Sequence, residues 1–76
     1  MGKVAEVVAL IFKNSVDAES TNQKFQMLQK EAYESGDRET MQQLKILVDN
    51  GSIKLSSEVM LDFRDSLYFL FPEQQF

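Results

Sequence analysis

Apolar side chains recur along this chain at helical spacing in four stretches, each bounded by turn-forming residues. In the first, about Lys3–Lys13, Val4, Val7, Val8 and Ile11 fall on one face, and Ala5 and Phe12 widen it. Asn14 and Ser15 end it. The second begins between Asp17 and Thr21, where several residues can cap a helix, and continues to about Glu34. Its stripe is Ala18, Phe25, Leu28 and Ala32. Ser35-Gly36-Asp37 is the clearest turn, because Gly suits the left-handed position that ends one helix and Asp caps the next. The third stretch, Arg38–Asp49, turns Met41, Leu44, Leu47 and Val48 inward, and Asp49-Asn50-Gly51 stops it. In Ser52–Leu55, Ile53 and Leu55 alternate with polar residues, which fits a short extended piece. Ser56 or Ser57 then caps a fourth helix that runs to about Phe71, with Val59, Met60, Phe63, Leu67, Leu70 and Phe71 inward. Pro72 ends it, since the residue before a Pro avoids the helical region.

The prediction is an all-α fold, a single domain over residues 1–76. It is a small four-helix bundle built on an antiparallel helical hairpin, the second and third helices, with the more apolar first and fourth packed across it.

Composition narrows how such a bundle is stabilised. A domain this small buries only about 60% of the surface its unfolded chain exposes. The chain has no Cys and no His, so disulfides are impossible and structural zinc lacks its usual ligands. Close packing or self-association remains, and self-association is expected. Charge narrows the partners. The formal net charge is −4 and the eight basic residues are scattered singly, so direct nucleic-acid binding is not expected. The run Val4–Phe12 is interrupted by Glu6 and is too short to cross a membrane. No membrane association and a cytoplasmic location are expected, the latter also from the lack of Cys.

Several fragments invite a chemical reading. Asp65-Ser66-Leu67 resembles the core of the site where acyl carrier proteins take their prosthetic arm. That chemistry needs the Ser at a helix start, whereas Ser66 falls deep inside the fourth helix. The second and third helices resemble a DNA-reading helix-turn-helix, with Gly36 at the turn and Ala32 four residues earlier. Gln42 and Lys45 then stand where apolar contacts are expected, and the would-be recognition helix opens Asp37-Arg38-Glu39, which repels phosphate. Glu58, Asp62 and Asp65 share a face by spacing. Three carboxylates on one straight helix make a poor cation site, and acids in early turns offset the helix dipole. Without His or Cys, and with little room for a cleft, no catalytic residue, cofactor or bound metal is expected, and the chain does not read as an enzyme.

The positive clue is a surplus of apolar residues. Leu61 and Tyr68, one heptad apart, lie opposite the inward face of the fourth helix, and Phe69 sits among the acids. Leu10, Met27 and Ile46 fall off their stripes in the other helices. A second aromatic stripe marks either a docking face or a central helix wrapped on both sides. The expected function is a small acidic protein–protein interaction module: a cytosolic regulatory, adaptor or inhibitory factor that self-associates. It docks through its last helix, with Leu61, Tyr68 and Phe69 supplying apolar contact and Glu58, Asp62 and Asp65 steering a basic partner. The alternative is an inhibitor of phage type that occupies the basic surface of a nucleic-acid-binding protein as an acidic decoy. A DNA-binding helix-turn-helix regulator is the third.

Overall fold

A computed structural model describes residues 3–13 and 17–74. Among these the chain forms α1 (Lys3–Lys13), α2 (Ala18–Ser35), α3 (Arg38–Asp49) and α4 (Ser57–Leu70), and no strand. The expected stop at Asn14 and Ser15 lies outside the described residues. Three of the helices begin at a side-chain cap, which satisfies amide groups that have no partner within the helix. Asp17 Oδ1 accepts from the Ser20 amide at 2.6 Å. Asp37 accepts from the Thr40 amide at 3.1 Å and from its hydroxyl at 2.7 Å. Ser56 Oγ accepts from the Val59 amide at 3.4 Å, which settles Ser56 rather than Ser57 as the cap.

Two glycines end helices in the same way. Gly36 has φ +69°. Its amide donates to the Tyr33 carbonyl, and the next amide, of Asp37, donates to the Ala32 carbonyl. Gly51 has φ +81°, and the amides of Gly51 and Ser52 donate to the Val48 and Leu47 carbonyls. These paired bonds close the last turn of α2 and of α3. Asp37 then serves two elements, closing α2 with its amide and opening α3 with its carboxylate. This two-residue link folds α3 back against α2 as a helical hairpin. After Gly51 the chain runs without regular structure from Ile53 to Ser56, and Ile53 is buried.

The core draws on every helix: Val8 from α1, Phe25 and Ala32 from α2, Met41 and Leu44 from α3, Val59, Phe63 and Leu67 from α4, then Ile53 and Phe71. Phe25 is its centre. Its ring meets Phe63 edge-on at 4.8 Å between centroids and Phe12 at 6.2 Å, so three helices converge on one side chain. α1 packs on both hairpin helices, chiefly α3, and α4 packs on α2. Two inward assignments are corrected. Val7 is 53% exposed and Ala18 is exposed. α1 buries Val8 alone and tilts its Val7 edge to the rim, while Ala18 stands in the first turn of α2, ahead of the packed part of its stripe.

Contacts far apart in sequence lock the ends together. Lys24 Nζ donates to the Ile11 carbonyl at 3.4 Å, placing a cation and a donor at the C-terminal end of α1. The Ser56 amide donates to Asn22 Oδ1 at 3.1 Å, tying the start of α4 to the start of α2. No helix among the described residues is long and apolar enough to cross a membrane.

Candidate functional site

α4 is two-faced. Val59, Phe63 and Leu67 are buried on one side, and Phe71 follows them into the core. On the other side Leu61 is 62% exposed, Tyr68 43% and Phe69 76%. The bundle therefore does not wrap α4 on both sides. Glu58, Asp62 and Asp65 are exposed as well. At 100° per residue, Leu61, Asp65 and Tyr68 form one outward ridge, while Asp62 and Phe69 flank it on the side facing α2.

That flank is organised by a polar side chain that the sequence reading passed over. Gln29 of α2 is only 4% exposed. Its Nε2 donates to Asp62 Oδ2 at 3.2 Å, and its Oε1 accepts from the Ser66 hydroxyl at 2.9 Å. Ser66 Oγ also lies 3.2 Å from the Asp62 carbonyl, one turn earlier in α4. Asp62, expected to steer a partner, here bonds within the fold and ties α4 to α2. Ser66, inside α4 as its position implied, is committed to the same bridge. Further along, Tyr33 of α2 meets Phe69 edge-on, with centroids 5.8 Å apart and planes at 79°. Between the Gln29 bridge and this ring pair lies a groove of about 560 Å³, lined also by Glu34 and Asp65.

A signal for Gln29 was present. It lies four residues after Phe25 and three before Ala32, squarely on the apolar stripe of α2. A polar residue there is buried with a partner or breaks the pattern. Its partners on α4 are more than thirty residues away, so the bridge itself was not readable.

The basic residues weighed for DNA reading have neighbours within the fold. The Arg38 guanidinium lies 4.3 Å from the centroid of the Phe71 ring and pairs with Glu73. The Glu73 carboxyl is held below its ordinary value, first by its own backbone N–H and then by Arg38. Lys45 pairs with Asp49 along α3. Among the described residues no three carboxylates come together closely enough to share a metal ion, and Glu58, Asp62 and Asp65 are spread along α4. No family model, curated protein or solved structure matches this chain.

Proposed function

We propose that the protein is a cytosolic protein–protein interaction module that docks a partner with a basic surface through the outer face of α4, and that also self-associates. One observation carries this reading. A helix that buries Val59, Phe63 and Leu67 on its inner side leaves Leu61, Tyr68 and Phe69 exposed on its outer side. Apolar contact of this kind supplies the desolvation that holds an interface, and aromatic side chains are common at its hot spots. Glu58 and Asp65 beside it, in a chain of net charge −4, favour a partner of opposite sign and speed the encounter. The decoy reading draws on the same acids, with charge rather than apolar contact as the main force. Salt separates the two. Surface ion pairs weaken as the Debye length falls to about 10 Å at 0.1 M, whereas apolar docking persists.

The test is a photo-crosslinking residue at position 68, with position 23 on the exposed side of α2 as control. A partner captured from 68 but not from 23, lost in Leu61→Glu and retained at high salt, supports docking. Equal capture from both positions, or capture unaffected by Leu61→Glu, sinks it.

A further inference from the structure

We propose that the groove between α2 and α4 binds the guanidinium of an arginine side chain carried by the docking partner. The inference rests on the docking reading and names the chemical group which that surface recognises.

The groove has a floor, a wall and a charged rim, each suited to this group. The rim carries the carboxylates of Glu34, Asp62 and Asp65 against the single ammonium of Lys30. These acids do not converge on one point. Spread charge of this kind fits a flat, delocalised cation with five N–H donors better than a compact ion. The wall is the Tyr33–Phe69 pair. Phe69 of this edge-on pair is 76% exposed, so its ring is accessible to a cation. The floor is Gln29. Its buried amide spends one N–H on Asp62 and one lone pair on Ser66. A guanidinium only donates, so the atoms here that can receive it are acceptors: the second lone pair of Gln29 Oε1 and Asp62 Oδ1, neither of which bonds another described residue. A volume of about 560 Å³ exceeds what a lone ammonium needs and accommodates a guanidinium with its aliphatic stem. The fold already sets an arginine against an aromatic ring and a carboxylate once, where Arg38 lies over Phe71 and pairs with Glu73.

The experiment titrates the isotope-labelled full chain with acetyl-Gly-Gly-Arg-Gly-Gly-amide at about 0.15 M salt. The control is the same peptide with citrulline, which keeps the shape and removes the charge. The expected result is saturable shifts of the Gln29 side-chain amide and of the Tyr33 and Phe69 rings with the arginine peptide alone. Asp65→Asn and Phe69→Ala each weaken binding by about threefold or more, and Lys30→Gln strengthens it. All three side chains are exposed, and retained dispersion of the amide spectrum shows that the variants fold. Equal shifts from the citrulline peptide overturn the proposal. So do shifts spread over remote acids such as Glu6, Glu19 and Glu39 without saturation in the groove. Shifts confined to Leu61 and Tyr68 overturn it while leaving the docking face intact, and crosslinking from position 68 reads that face separately.

Discussion

Gln29 occupies a position on α2 where its neighbours on the stripe, Phe25 and Ala32, are core residues. It is tolerated there because Asp62 and Ser66 of α4 each make one hydrogen bond with it, and an amide so paired costs less than a bare one. Gln29→Ala removes both bonds and some packing, and should destabilise by about 1–3 kcal/mol. Part of that loss is shared with Asp62. In a double-mutant cycle with Asp62→Ala the two changes should couple by about 0.5 kcal/mol or more, and strict additivity in denaturant melts would show that the bridge is not formed. At Glu73 the sign follows from the direction of its shift. A carboxyl whose folded value lies below its ordinary one stabilises the fold above the ordinary value, and that contribution disappears as pH falls through the folded value. Carboxyl NMR should find Glu73 titrating below an ordinary Glu. Arg38→Gln should move it only part of the way back, because its own backbone N–H is the larger cause. A full return would assign the shift to Arg38 instead.

The helices owe their ends to local chemistry and their positions to burial. Gly51 sits at φ +81°, and a Cβ there would meet nothing within 4 Å. The cost of Gly51→Ala is therefore conformational, about 1–2 kcal/mol for a left-handed residue, without a clash. In a domain of this size the melting temperature should fall by about 4–8 °C per kcal/mol. A far larger fall would mean that the turn directing Ile53 into the core had been lost as well. α4 separates its two faces just as sharply. Phe63→Ala removes the partner of Phe25 at the centre and should cost about 3–5 kcal/mol, much of the stability of so small a domain. Leu61→Ala with Tyr68→Ala should stay within about 1 kcal/mol while partner capture falls. Phe69 is left out of that variant because its ring also meets Tyr33 across the α2–α4 contact. If the Leu61/Tyr68 variant melts as badly as Phe63→Ala, the outer face of α4 is part of the fold and the docking reading falls.

For the whole molecule, the balance of surface and core argues for association. The core is a single cluster, and Val7, Leu10, Met27 and Ile46 are uncovered in addition to the α4 face. Val7 and Leu10 both lie on α1, which buries only Val8. A second copy covering them would give the least embedded helix a packed outer side. Light scattering over a dilution series should show a dimer at tens of micromolar, and Leu10→Glu should return it to monomer. A monomer throughout, with unchanged melting, would remove self-association from the proposed function.

Periodicity and turn chemistry determined the elements. α3 spans the residues that spacing assigns it, and Asp17, Asp37, Ser56, Gly36 and Gly51 mark helix ends by chemistry that acts over three or four residues. The same spacing sets Leu61, Tyr68 and Phe69 off the inward stripe, which is why their exposure was legible. Tertiary structure decided what periodicity does not carry. It turned Val7 outward, because the packing of α1 fixes which edge of a broad apolar face is covered. It put Gln29 against Asp62 and Ser66, and Phe69 against Tyr33, because those meetings depend on how α4 lies on α2. The groove exists only in that packing. Helical spacing specifies which side chains share a face; only the arrangement of the helices specifies which faces meet and what space they leave between them.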